Sequence, residues 1–185
     1  MRLFVALTPP PEVVGELWAA TTALRVDQPG LRWTPPEQWH LTLVFLGEVV
    51  DDVRPDLIER LGRVAARGSP FALSLGAGGR FGNRVLWTRV RGETDRLRRL
   101  AASAQAACRR CGLAVEDRPY RPHLTLARAR GDTEDLRDAV ARLDGFAGRT
   151  WTADQLHLVR SLLGAGPGRA ARHERLISWP LGAGR

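Results

Sequence analysis

The phrase His40-Leu41-Thr42-Leu43 returns letter for letter as His123-Leu124-Thr125-Leu126, and the chain around it returns with it. The two histidines are 83 residues apart (123 − 40), and the apolar runs that open each copy, at Leu3 and at Leu86, share that offset (86 − 3). Each copy reads strand, helix, loop, histidine strand, helix, strand. The 185 residues thus contain one unit about twice, over 1–80 and 84–161, with a closing strand near 174–179. Two copies of one unit usually pack about a pseudo-two-fold axis, which brings equivalent elements together. One domain of two lobes is expected, with the histidine strands meeting at a central cleft.

Both phrases lie in apolar, β-leaning surroundings and read as strands. Side chains alternate along a strand, so His40 and Thr42 share one face while Leu41 and Leu43 take the other. The same holds for His123 and Thr125. An ordinary imidazole titrates near pH 6.5, so a pair flanking one ligand can serve as general acid and general base. The threonine hydroxyls can each donate a hydrogen bond to a phosphate oxygen. Four donors around one tetrahedral anion make a plausible phosphate site.

Composition narrows the partner. The formal charge of +8 favours a polyanionic or phosphorylated one. All 28 basic residues are Arg, however, and with abundant Ala, Gly, Leu and Val this is a chain-wide bias that weakens the charge signal. The opening apolar run gives way at once to Thr8 and three prolines, too short for a signal segment or a membrane span. A soluble, cytoplasmic monomer is the expectation. The two cysteines, Cys108 and Cys111, fall at the end of a helical stretch rather than its start, with no second pair to complete a zinc site. They read as small helix residues.

In chain order, Leu3 to Leu7 suits a buried strand, and Pro9 to Pro11 start a helix with Val13, Leu17, Thr21 and Leu24 at helical spacing. Pro35-Pro36 forbid a central strand before the first phrase. Asp51 to Arg67 reads as a helix, Phe71 to Leu75 as a strand, and Gly76 to Gly82 as a flexible connection. Val85 to Val90 is a strand, Glu93 to Cys111 a helix, Asp132 to Leu143 a helix, Thr150 to Val159 a strand, and Glu174 to Trp179 the closing strand.

Two H-x-T-x motifs some eighty residues apart, within Trp39-His40-Leu41-Thr42-Leu43-Val44-Phe45-Leu46-Gly47 and Arg118-Pro119-Tyr120-Arg121-Pro122-His123-Leu124-Thr125-Leu126-Ala127-Arg128, resemble the 2H phosphoesterase superfamily. The likeness is greatest to the RNA 2′,3′-cyclic phosphodiesterases, once described as 2′-5′ RNA ligases, and extends through Arg2 to Ala6 and Arg84 to Trp87. It departs at Tyr120, where Phe is expected, and in the Gly- and Arg-rich tail after Gly164. The resemblance implies an α+β bilobal duplicated fold, with antiparallel sheets lining a central cleft and helices outside, and a site needing neither metal nor cofactor. It implies His40 as proton donor, His123 as proton acceptor, and Thr42 and Thr125 as phosphoryl ligands. The substrate is then RNA with a 2′,3′-cyclic phosphate end, opened to a 2′-phosphomonoester. Arg118, Tyr120 and Arg128 beside the second motif are the candidates for substrate contact.

Other readings stay open on the residues alone. A non-catalytic RNA-end or nucleotide-binding module would grip the phosphate without turnover, and a relative acting on ADP-ribose cyclic phosphate would share the motif. A metallohydrolase is disfavoured, since Thr rather than carboxylate accompanies each His and no H-E-x-x-H is present. His157 and His173 lack counterparts and read as structural. Trp33 and Trp39 read as core.

Overall fold

A computed structural model describes residues 1–131, 135–166 and 171–184. The order is β1 (Arg2–Leu7), α1 (Pro11–Ala20), α2 (Thr22–Asp27), β2 (Leu31–Trp33), β3 (Leu41–Glu48), α3 (Arg54–Arg67), β4 (Phe71–Phe81) and β5 (Val85–Gly92). It continues with α4 (Thr94–Arg110), β6 (His123–Ala129), α5 (Arg137–Leu143), β7 (Trp151–Ala153), β8 (Gln155–Leu162) and β9 (Arg172–Pro180). Short 3-10 turns at Pro36–Gln38 and Asp51–Val53 precede β3 and α3.

Two antiparallel sheets carry the fold, one ordered β3-β1-β8-β9 and the other β2-β6-β5-β4-β7. Each takes strands from both halves of the chain. β3 is the edge of its sheet, and it approaches β6 of the other, so the two histidine strands stand near each other between the sheets. β1 is buried on both faces: Leu3, Val5 and Leu7 enter the main core, while Phe4 and Ala6 join Val159 in a small separate cluster. The helices close the outer faces by amphipathic spacing. Leu57, Leu61 and Ala65 give α3 its buried stripe, and Leu97, Leu100, Ala101, Ala104 and Cys108 give α4 its own. On the exposed side of α3, Asp56–Arg60 and Glu59–Arg63 pair across one turn, each contributing only a few tenths of a kcal/mol.

The helix begun at Pro11 does not run unbroken to Leu24. Thr21 interrupts it, its hydroxyl donating to the carbonyls of Leu17 and Trp18, a bond that competes with the helix ladder. Gly76 to Gly82 is not a flexible connection but the second half of β4. The reason is close approach: a Cβ at Gly79 would lie 2.2 Å from the Trp87 ring, and one at Gly78 2.9 Å from the Val140 carbonyl on α5. The remaining turn is Gly82 to Arg84, closed by the Arg84 amide donating to the Phe81 carbonyl.

Thr150 to Val159 divides at Asp154 into β7 and β8, which belong to different sheets. The chain crosses between lobes at that residue. The opening strands also differ from their sequence offset. Thr42 faces Ala6 and Thr125 faces Trp87, so relative to the motifs β1 and β5 correspond at 81 (87 − 6), two residues short of 83. A two-residue slip preserves the face of every side chain. Of the helix expected from Asp132, residues 132–134 lie outside the described set, and α5 begins at Arg137.

Candidate active site

The segment before each motif fixes its histidine by one device. His40 Nδ1 lies 2.7 Å from the Gln38 carbonyl and His123 Nδ1 2.7 Å from the Arg121 carbonyl, in each case two residues back. A carbonyl only accepts, so Nδ1 carries the hydrogen and donates. The neutral ring then has its lone pair on Nε2. Proline supports both arrangements: Pro36 opens the turn before His40 and Pro122 directly precedes His123, holding both approaches out of the sheet ladder.

His40, Thr42, His123 and Thr125 line one cleft of about 240 Å³, with Arg32, Phe45, Arg128 and His173 among its other walls. An adjoining groove of about 580 Å³ shares Thr42, Phe45 and His123 and continues past Phe81, Gln105, Arg118, Tyr120 and Arg121. Of the sequence-based candidates, Arg128 thus stands in the cleft with the histidines, while Arg118 and Tyr120 stand in the groove beside it. Arg118 pairs with Glu116 at 2.9 Å. Tyr120 is partly buried, its hydroxyl has no hydrogen-bond partner, and burial raises its pKa. A separate groove of about 490 Å³ along α3 and α4, lined by Arg67, Arg96, Arg99 and Arg110, shares no residue with the cleft.

Aromatic rings back both histidines. Phe4 stacks on His40 at 4.7 Å between centroids, and Phe81 meets His123 edge-on at 4.9 Å with Trp87 at 6.0 Å. These rings remove water and weaken the charged forms. Burial pushes His40 down to about 4 against the favourable Gln38 bond, with repulsion from His173 and His123 adding to the effect. Burial also lowers His123, opposed by the Arg121 bond and assisted by Arg128. Both rings are therefore neutral near pH 7 in the free protein.

His173, read from sequence as structural, stands at the cleft. It sits on β9 with its ring 5.1 Å from His40 and 4.9 Å from Phe4, in the cleft wall, and its Nδ1 has no hydrogen-bond partner. Sequence reading passed over it because it has no motif and no counterpart. His157 does fit the structural reading: it is buried, with Nδ1 2.8 Å from the Ser178 hydroxyl oxygen. Trp39 is core at 1% exposure, and Trp33, half-buried, packs against the core and also lines the cleft. Cys108 is buried in α4, its thiol pushed up to about 12 by burial, and Cys111 donates to the Ala107 carbonyl. Among the described residues no group of three or more His, Cys, Asp or Glu is placed to hold a metal ion, and no helix is long and apolar enough to cross a membrane.

Paired H-x-T strands that line one cleft, on two antiparallel sheets drawn from both chain halves, fit a two-histidine phosphoesterase. A model of the 2′-5′ RNA ligase superfamily matches residues 9–165, and the chain belongs to that family. The RNA 2′,3′-cyclic phosphodiesterase of Thermus thermophilus is 33% identical over 174 residues, covering 88% of this chain and 83% of the relative. That of Geobacillus stearothermophilus is 30% identical over 154 residues, covering 80% of this chain and 47% of the relative, so this chain spans about half of that protein's length. Among solved structures, TT0787 of Thermus thermophilus superposes with a TM-score of 0.82 at 31% identity and full coverage of both chains. Escherichia coli LigT complexed with 3′-AMP superposes at 0.79 and 26% identity, covering 97% of each.

Proposed function

We infer that the chain is an RNA 2′,3′-cyclic phosphodiesterase, and we propose that it opens the ring to a 2′-phosphomonoester by metal-independent acid–base catalysis between two histidines. One observation carries the reading: both motif histidines, pinned through Nδ1 in the same way, converge on one cleft with both motif threonines. Phosphoryl transfer in line needs a base and an acid on opposite sides of phosphorus. Neutral His123 has its lone pair on Nε2 and takes a proton from the attacking water. The water oxygen bonds to phosphorus, the bond to the 3′-oxygen breaks, and His40, protonated at Nε2, gives its proton to that oxygen. Thr42 and Thr125 donate to the non-bridging oxygens. Arg128 adds positive charge to the cleft wall, while Arg118 and Tyr120 contact the nucleoside in the adjoining groove.

A neutral His40 is a poor acid, and the substrate corrects this. A cyclic phosphodiester brings a full negative charge into a cleft short of water, which favours the imidazolium. We take 1–185 as one bilobal unit with repeats of about 1–80 and 84–161, a reading supported by sheets that draw strands from both halves. The test is turnover of a short RNA ending in a 2′,3′-cyclic phosphate, with and without excess EDTA. Undiminished ring opening to the 2′-monoester is expected, and loss of activity on chelation would exclude the metal-independent mechanism.

A further inference from the structure

Regular alternation would carry the cleft face of β6 from His123 and Thr125 to Ala127 and Ala129. The ladder to β5 steps from Thr125–Trp87 directly to Ala127–Leu86, so one extra residue, Leu126, bulges out. Parity reverses beyond it, and Arg128 rather than Ala127 joins the cleft. Across the neighbouring ladder Arg128 stands directly opposite Arg32 of β2, and Arg32 lines the same cleft. Like charges facing each other across a ladder are unfavourable unless something answers them. Among the described residues, neither guanidinium has a carboxylate partner, and the other side chains at this end, Trp33, Thr34 and Gln38, are neutral. Both side chains keep an exposed surface, and partial loss of water with the facing Arg32 lowers the pKa of Arg128.

We propose that Arg32 and Arg128 form a second phosphate subsite, one that holds the phosphate on the 5′ side of the terminal nucleotide while the cyclic phosphate lies between the histidines. This rests on the cyclic phosphodiesterase reading and narrows its substrate class: the preferred ligand is a 5′-phosphorylated or chain-linked terminus, not a free nucleoside cyclic phosphate. A bridging oxyanion answers both guanidinium groups at once, and each can present two N–H groups to it.

The test compares kcat/KM for a nucleoside 2′,3′-cyclic phosphate bearing a 5′-hydroxyl with the same compound bearing a 5′-phosphate. Wild-type protein is expected to favour the phosphorylated compound by about tenfold or more, the effect of one charge-assisted contact. Arg32→Gln should bring the ratio close to one, and Arg32→Lys should retain part of it. A wild-type ratio near one, a ratio untouched by Arg32→Gln, or equal losses on both compounds would overturn the subsite; the last would place Arg32 on the cyclic phosphate itself. Calorimetric titration with a nucleoside 2′,5′-bisphosphate and a 2′-monophosphate reads the same ratio without turnover. Failure of ring opening with both substrates therefore counts against the enzymatic reading, while the binding ratio decides the subsite.

Discussion

Phe45 and Arg128 occupy equivalent places in the two histidine strands, each five residues beyond its histidine (45 − 40 and 128 − 123) and each turned into the cleft by a bulge after the motif threonine. In β3 the ladder skips Leu43, as it skips Leu126 in β6. The duplicated scaffold thus offers a ring at one station and a guanidinium at the other. Phe45 is 60% exposed, which is costly for a phenylalanine with no ligand role, and it borders both the cleft and the larger groove. In the proposed cyclic phosphodiesterase reading, the terminal base stacks on it. Phe45→Ala should weaken binding of a cyclic-phosphate oligonucleotide by roughly tenfold or more, since base–aromatic stacking contributes about 1–3 kcal/mol. Phe45→Tyr should restore it, and steady-state KM measurements on both variants distinguish the outcomes.

The depressed histidines set the pH profile. The base limb of kcat/KM rises as the base loses its proton, and the acid limb falls as the acid loses its own; both report the free enzyme. Since His40 lies at about 4 and His123 below its ordinary value, the optimum of kcat/KM is expected on the acid side of pH 6.5. Of the groups facing His40, the neutral ring of Phe4, through burial, and the neighbouring His173 and His123 disfavour its charged form, and only the Gln38 carbonyl favours it. In kcat the alkaline limb should move upward, because bound anion stabilises the imidazolium. A kcat/KM optimum above pH 7 would contradict this electrostatic account.

Acid should also destabilise the fold through His157. Its folded pKa is about 4, lowered first by burial, against an ordinary 6.5. The unfolded chain takes up the proton near 6.5 while the folded one resists until about 4, so stability is complete above 6.5 and is lost as the pH falls toward 4. The loss from this one group reaches on the order of 3 kcal/mol. Urea midpoints at pH 7.5 and 4.5 should separate widely in wild-type protein and less in His157→Gln.

Gly79→Ala should cost roughly 1–3 kcal/mol, the usual range for overpacking, because the new methyl would collide with Trp87. Trp87 also backs His123, so turnover should fall with stability. Gly15→Ala, in α1 with nothing within 4 Å, should be neutral or stabilising by up to about 1 kcal/mol. Denaturant midpoints of the two variants make the comparison.

The contrast between these glycines shows what the sequence could reveal. The histidine strands were legible because apolar and polar residues alternate within a few positions. The glycine run in β4 read as a connection because its partners, Trp87 and Val140, are distant in the chain. His173 was missed for the same reason: it reaches His40 only through β9 pairing with β8, and β8 with β1. Arg32 and Arg128 share the cleft through a bulge, and no residue type at Leu126 announces one. Local periodicity is written in neighbours, whereas the cleft walls are assembled by ladders between sequence-distant strands.

The central claim is that two histidines divide one proton transfer each. Single-turnover ring opening of an RNA with a 2′,3′-cyclic phosphate end, measured on His40→Ala and His123→Ala proteins whose circular dichroism matches wild type, tests it most directly. Each variant is expected to lose at least about a hundredfold in rate, the lower range for a positioned general acid or base. A rate within a few-fold of wild type in either variant would contradict the account.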